Sequence, residues 1–425
     1  MKIFFDTIGC RLNQAEIESL ARQFRAAGHE IIGTSNGADL AIINTCTVTN
    51  AAAADSRSAI RRVNRTGVKE ILVTGCLATV DPRTTAALPG VNRVIPNSKK
   101  STLASDYLGM QQKIIELEPI ARIPIPGIHA RTRAFIKVQD GCDNACTYCI
   151  STVARGASRS RSLDEIITEI QAAALSETKE VVLTGVHLGA WGLDLPEPLR
   201  LNDLVIHLLE KTDVPRIRLS SIEPWDLDKE FFSLWDDRRL CRHLHLPLQS
   251  GSNTVLKRMG RKVTPESFSR IVESARAKIP DVSITTDMIT GFPGETDAEF
   301  KETLDFVNRI RFSGGHVFTY SARTGTPAAR MKDQVPFEIR KERNGLLRDL
   351  FEQEAKKYQS KFLDRALPVL WEVSEPLTDS EWKLGGLTDN YIRVRAKSLI
   401  PKWNTVDQVR MVSLEESGIN GEICI

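Results

Sequence analysis

The chain of 425 residues has no apolar run approaching 18 residues, so no segment reads as a membrane-spanning helix. It has almost no excess of charge. Its 57 Lys and Arg against 54 Asp and Glu leave a formal charge of +3, so any RNA surface must come from local clusters of basic residues. Cysteine is scarce, 8 in the whole chain. That excludes a disulfide framework and leaves thiols free for metal in a reducing compartment. The start, Met1-Lys2-Ile3-Phe4-Phe5-Asp6, lacks a secretory pattern, and a cytoplasmic protein with no membrane partner is expected. The histidines show no metal-ligand spacing, and Gly291-Phe292-Pro293-Gly294-Glu295 lacks the Lys-Ser/Thr of a P-loop. What is present, 41% hydrophobic and 26% charged residues, is a globular composition long enough for two or three domains.

Three of the cysteines stand together in Asp140-Gly141-Cys142-Asp143-Asn144-Ala145-Cys146-Thr147-Tyr148-Cys149. Structural zinc sites normally take four protein ligands, often as paired Cys-x2-Cys hairpins, and here no fourth lies nearby. Three thiolates suit a [4Fe–4S] cube with one iron left open to a small molecule. The run Ala134-Phe135-Ile136-Lys137-Val138-Gln139 leads into this loop as a strand, which places the loop at a strand's carboxyl end.

Three more cysteines are dispersed but equivalent in context. Strands read over 2–7, 39–44 and 70–74 end in Gly9-Cys10, Thr45-Cys46 and Gly75-Cys76, with helices from Gln14 to Ala27 and from about Ala51 to Asn64 between them. Strands separated by helices form a parallel sheet whose carboxyl ends share one rim, where open α/β sheets bind ligands. Cys10, Cys46 and Cys76 are therefore expected to converge as a second three-cysteine cluster site. Cys241 and Cys424 read as unliganded.

The expected organisation is α/β. A Rossmann-like parallel sheet spans 1–98, and a proline-bearing linker spans 99–130 (Pro119, Pro124, Pro126). A partial (β/α)6 barrel spans 131–362, with strands near 134–139, 181–185, 216–221, 243–248, 283–289 and 315–321, fewer than close a TIM barrel. Capping boxes at Ser162-Leu163-Asp164-Glu165 and Thr296-Asp297-Ala298-Glu299 open two of its helices. From 363 to 425, alternating residues and turn signals predict a small antiparallel sheet or barrel, a shape that commonly binds oligonucleotides.

The Cys-x3-Cys-x2-Cys loop resembles the signature of radical S-adenosylmethionine (SAM) enzymes. Together with Gly9-Cys10-Arg11-Leu12-Asn13, Asn44-Thr45-Cys46-Thr47-Val48-Thr49, Thr74-Gly75-Cys76, Pro247-Leu248-Gln249-Ser250-Gly251-Ser252 and Tyr320-Ser321-Ala322-Arg323-Thr324-Gly325-Thr326, it resembles the methylthiotransferases over nearly the whole chain. That resemblance implies a TRAM-like C-terminal domain, two [4Fe–4S] clusters and SAM. SAM would bind the open iron of the Cys142, Cys146, Cys149 cluster and be cleaved to a 5′-deoxyadenosyl radical. The second cluster would carry the sulfur to be inserted. Thr47-Val48-Thr49-Asn50 resembles the branch acting on N6-threonylcarbamoyladenosine at position 37 of tRNA, so the tRNA anticodon stem-loop, an electron donor such as a flavodoxin or ferredoxin, and a sulfur donor are the implied partners. One departure is visible: Ile150-Ser151-Thr152 stands where the family usually has Ile-Ile-Pro.

Strand ends supply expected SAM contacts in Thr184 and Gly185, Ser221 and Glu223, and Gln249, with Asp287 within a strand as a further one; the resemblance implies that Tyr148 lies beside the adenine. Arg57, Arg61 and Arg65 line one helix face, Arg155, Arg159 and Arg161 follow the cluster loop, and Tyr391 stands with Arg393 and Arg395 on a C-terminal strand; these are the expected RNA contacts. Alternatives are the same chemistry on isopentenylated adenosine or a ribosomal protein, or a non-catalytic iron–sulfur electron carrier or RNA-binding protein.

Overall fold

The computed structural model describes residues 1–110, 132–378 and 380–424. The three linker prolines lie outside these residues. The N-terminal unit runs β1 (Lys2–Thr7), α1 (Arg11–Ala26), β2 (Glu30–Ile32), β3 (Leu40–Thr45), α2 (Asn50–Asn64), β4 (Glu70–Gly75), α3 (Cys76–Val80), α4 (Pro82–Ala86), β5 (Val91–Ile95) and α5 (Leu103–Leu108). Its sheet has the order β2-β1-β3-β4-β5 and is parallel throughout. The three cysteine-bearing strands are therefore neighbours at its centre. β3 and β4 are apolar runs covered on both faces, as a parallel sheet requires.

Two features differ from the sequence expectation. The edge strands β2 and β5 are too short and too polar to have shown a period. The segment after 98 is in part domain rather than linker, because α5 packs Leu103 and Ala104 into the same core as Phe5, Leu20 and Phe24. α1 serves two domains: Ile17, Leu20 and Phe24 face its own sheet, while Ala15 packs on Phe135 and Val182 of the next.

The central unit contains β6 (Arg133–Lys137), β7 (Gln139–Asp140), β8 (Arg159–Ser160), β9 (Glu180–Thr184), β10 (Arg216–Leu219), β11 (His243–His245), β12 (Ser283–Thr290) and β13 (Gly314–Thr319). The strands form two parallel triplets, β6-β9-β10 and β11-β12-β13. Bridges Ile217–Leu240 and Ser221–His245 join the triplets, giving an open six-stranded barrel. Both expected capping boxes form, at Ser162 and at Thr296. Among the described residues β7 and β8 pair only with each other, and they clamp the base of the cysteine loop.

After the long helix Phe337–Ser360, β14 (Ala366–Pro376), β15 (Trp382–Thr388), β16 (Arg393–Ser398), β17 (Val406–Glu415) and β18 (Gly418–Ile423) close a barrel in the order β14-β15-β16-β18-β17. It departs from the purely antiparallel expectation in one pair, β16–β18, which is parallel. Among the described residues no helix is long and apolar enough to cross a membrane.

The small barrel docks on the central one through two arginines of β10. Arg216 donates to the carbonyl of Pro368 (2.8 Å) and Arg218 to that of Asp389 (3.0 Å). Arg218 is fully buried and grips the equally buried Glu180 at 2.7 and 3.1 Å. Removing one member of such a pair strands the other charge in a low-dielectric interior. Arg218→Leu is thus expected to cost about 3–5 kcal/mol and to lower the unfolding midpoint clearly; a wild-type midpoint would show that the pair does not hold this junction.

Candidate cluster sites and active chamber

Three of the six candidate cysteine ligands follow a glycine that the chain needs for its backbone freedom. Gly9, Gly75 and Gly141 have φ of +111°, +102° and +72°. A Cβ at these positions would run into Cys46, into the Thr45 backbone and into the Ala157 carbonyl, respectively. Each glycine turns the chain sharply at a strand end and directs the next residue, Cys10, Cys76 or Cys142, off the strand line. Cys46 needs no such step, since Thr45 pairs in register with Gly75 and Cys46 follows directly.

Burial, reinforced by the neighbouring Cys76 and Cys10, pushes the Cys46 thiol up to about 11. Three thiols that repel one another as thiolates suit a cationic centre that takes the place of their protons. Among the described residues no group of His, Cys, Asp or Glu is close enough to chelate a single metal ion. A cube differs in spreading its ligands, one thiolate to each of three iron corners, and the donor set of each trio fits it.

In the second trio, the sulfurs of Cys142 and Cys149 accept backbone N–H groups from Asn144 and Ser151, each at 3.4 Å. The loop is stitched to the barrel by Thr147 N–H to Met259 (2.9 Å) and Ala328 N–H to Thr147 (2.9 Å). Arg261, almost fully buried, points Nη1 at the Cys146 sulfur (3.9 Å), pairs with Glu223 (2.7 Å) and lies 4.6 Å from the Trp225 ring centroid. His187 touches Asp226 (2.7 Å) and Asn144 (3.3 Å). Burial works against its protonation, yet Asp226 and Cys142 together raise it to about 10. Neither Arg261 nor His187 was legible as a site residue. Arg261 is one basic residue among many, and His187 carries no ligand spacing.

The expected SAM residues fall at or near this rim. Thr184 ends β9, and a Cβ on Gly185 would crowd Gln139. Ser221 is exposed, beside His245. The Glu223 carboxylate is shared with Arg261. Gln249 holds a left-handed backbone (φ +83°) and exchanges backbone bonds with Asp287 and Ile289. Asp287 lies inside β12, as expected; Oδ2 is 3.2 Å from His245, and the buried Oδ1 has no partner among the described residues. Tyr148 is half-buried with its ring edge-on to Phe292 (6.5 Å).

The expected RNA contacts divide. Arg61, Arg65, Arg159, Arg393 and Arg395 are exposed, Arg57 is half-buried, and Arg395 is paired with Glu415 (3.0 Å). Arg161 is tied to Glu169 (2.6 Å). Two expectations are corrected. Arg155 is buried and bonded to Glu16 (2.9 Å), Asp140 (2.9 Å) and Asn13 (2.6 Å), so its guanidinium is turned into the protein and away from any surface phosphate. Tyr391 is no free stacking platform: its ring lies flat on His243 (4.1 Å between centroids, 6° apart) and its hydroxyl accepts from Arg11. In both cases the side chain is consumed at a domain junction, which a local pattern does not reveal.

Segments beside the two trios touch across the N-terminal and central units. Asn97 donates to the Ala154 carbonyl (2.8 Å) and lies 3.7 Å from the Cys76 sulfur, while Arg323, after β13, bonds Thr47 and Asn50 beside Cys46.

A six-stranded open barrel with a Cys-x3-Cys-x2-Cys loop at its rim defines a radical SAM protein. The model of the Radical SAM superfamily matches residues 136–307, and that of the Uncharacterized protein family UPF0004 matches 2–95. The chain is 40% identical to the threonylcarbamoyladenosine tRNA methylthiotransferase MtaB of Bacillus subtilis, covering 92% of this chain and 89% of that one. It is 37% identical to the protein of the same name in Thermotoga maritima (97% and 95% covered). It is 35% identical to a tRNA-2-methylthio-N(6)-dimethylallyladenosine synthase of Caldicellulosiruptor saccharolyticus (86% and 80% covered). The radical SAM methyltransferase TsrM of Kitasatospora setae shares the fold, with a TM-score of 0.56 and 15% identity over 77% of each chain. The chain belongs to the radical SAM methylthiotransferases and is an enzyme of that family. A [4Fe–4S] cluster and SAM follow from this membership.

Because Gly141 can take no side chain, Gly141→Ala should prevent the Cys142 loop from closing on a cube. Anaerobic reconstitution is expected to leave about four irons fewer per chain than in the wild type; full iron content would show that the tight step is not needed.

Proposed function

We propose that this enzyme converts N6-threonylcarbamoyladenosine at position 37 of tRNA to its 2-methylthio derivative, using one cluster on Cys142, Cys146 and Cys149 and a second on Cys10, Cys46 and Cys76. The observation that carries this reading is the pairing of the two cysteine rims across one interface, where Asn97 touches both Cys76 and the helix behind Cys149. The target C–H, on C2 of a purine, is neither acidic nor next to a leaving group, so acid–base catalysis has nothing to act on. The Cys142, Cys146 and Cys149 cluster with SAM would supply a 5′-deoxyadenosyl radical, and the cluster on Cys10, Cys46 and Cys76 would supply a transferable sulfur.

The chain's own residues bind and orient. Arg261 places positive charge against Cys146 and would offset the anionic thiolate set. Thr184, Gly185, Ser221, Gln249 and Asp287 would hold SAM by its polar groups, with Tyr148 beside its adenine. Glu223, fixed by Arg261, would take a ribose hydroxyl or the ammonium group. Arg323 ties the barrel rim to the Cys46 loop through Thr47. Arg61, Arg65, Arg159 and Arg393 would contact phosphates of the anticodon stem-loop, so affinity should fall steeply with salt. An electron donor such as a flavodoxin or ferredoxin and a separate sulfur donor complete the cycle, in the cytoplasm.

The similarity to proteins named for either modified base makes the dimethylallyl substrate the second reading. Mass spectrometry of tRNA nucleosides from a strain lacking this gene separates them. Loss of the 2-methylthio derivative of threonylcarbamoyladenosine is expected; its persistence, with loss of another methylthio base, would reassign the substrate. Within the enzyme, Cys10→Ala should keep SAM cleavage while abolishing sulfur insertion, and Cys146→Ala should abolish both. Equal loss of cleavage in the two variants contradicts the division of labour.

A further inference from the structure

Between the two cysteine rims lies a buried charge cluster to which the reaction above assigns no role. Glu16, on α1 downstream of Cys10, accepts bonds from Lys100 (2.6 Å), Lys137 (3.0 Å) and Arg155 (2.9 Å). Arg155, downstream of Cys149, also grips Asp140 (2.9 Å), which stands just before Cys142, and Asn13 (2.6 Å). The Asn13 amide donates in turn to the carbonyls of Ile8 (2.7 Å) and Thr45 (3.1 Å), the residues that lead into Cys10 and Cys46. Lys100 also donates to Asn44 (3.0 Å) on β3. Asn13, Glu16, Lys100, Asp140 and Arg155 are all buried.

We infer that Glu16 and Arg155 are positioning residues that set the separation and orientation of the two cluster sites, an inference that rests on the two-cluster reading above. Apolar packing alone resists separation of two domains but tolerates small slides. Charge-assisted bonds in a low-dielectric interior are directional, so a slide of one rim over the other breaks several at once. The network reaches the entry to Cys10, Cys46 and Cys142 and the exit from Cys149, so it can transmit such a constraint to both trios. Sulfur insertion demands it more than SAM cleavage does. Cleavage takes place at one site, whereas insertion needs reacting partners from two sites in near-attack geometry, where about 1 Å of misplacement costs on the order of 100-fold.

Glu16→Gln in the reconstituted holoenzyme tests this. Iron content and SAM cleavage should stay near wild type, while 5′-deoxyadenosine formed per methylthiolated adenosine should rise by about tenfold or more. Pulsed EPR should show the magnetic coupling between the two reduced clusters weakened or broadened, and Glu16→Asp should recover part of both signals. A residue of merely structural importance would lower cleavage and insertion together. Should Glu16→Gln fail to retain both clusters, Arg155→Lys, which keeps the charge but loses the two-nitrogen fork that grips Glu16 and reaches Asn13, is read in the same assays. A native product ratio with native coupling, in whichever variant carries both clusters, overturns the inference. Wild-type protein with no second-cluster signal would instead overturn the two-cluster reading.

Discussion

Two parallel sheets meet rim to rim in this enzyme, and the carboxylate of Glu16 lies buried where they meet. Burial alone would raise its pKa, yet Lys100, Lys137 and Arg155 hold it well below the usual carboxylate range. Glu16 and Asp140 are paired with four cations, Lys100, Lys137, Arg155 and, at 3.8 Å from Asp140, the exposed Arg159, so positive charge is in excess. Such an arrangement is rarely the cheapest way to stabilise an interface, because desolvation offsets much of the attraction. Its value is directional. The excess charge also lies near Cys76, whose thiolate form favours the charged states of Arg155 and Lys100.

From this junction the rest of the site follows by strand polarity. A parallel sheet delivers every carboxyl end to one edge, and the two edges face each other across α1, which packs against both domains. Positive-φ glycines then convert strand ends into ligand positions. The C-terminal barrel is equally integrated, since Tyr391 reaches between Arg11, next to Cys10, and His243 of the central barrel. It is a third wall of the same assembly.

Much of this was legible in the sequence. The cysteines announce themselves by chemistry and by position after apolar strands, and the capping boxes at Ser162 and Thr296 mark helix starts because their bonds are local. The six central strands fell where their apolar runs lie. What could not be read depends on which surfaces become interfaces. Arg155 and Arg159 look alike beside the loop, yet one is buried under α1 and the other remains in solvent. Tyr391 has the neighbours of a stacking ring, and only the docking of two barrels consumes it. α5 is too short for a period, and its membership in the first domain shows only through Leu103 and Ala104 in the core. Arg261 and His187 are set by contacts between segments far apart in the chain, such as Arg261 to Glu223 and His187 to Asp226.

The central claim is that each cysteine trio holds a cube with one iron free of protein ligands, both looking into one chamber. Mössbauer spectroscopy of the anaerobically reconstituted protein, with and without SAM, addresses it most directly. The account predicts two cubes per chain, each with one distinct iron, and a SAM-induced change confined to the distinct iron of one cube. A single cube, or irons that are all equivalent and indifferent to SAM, would contradict it.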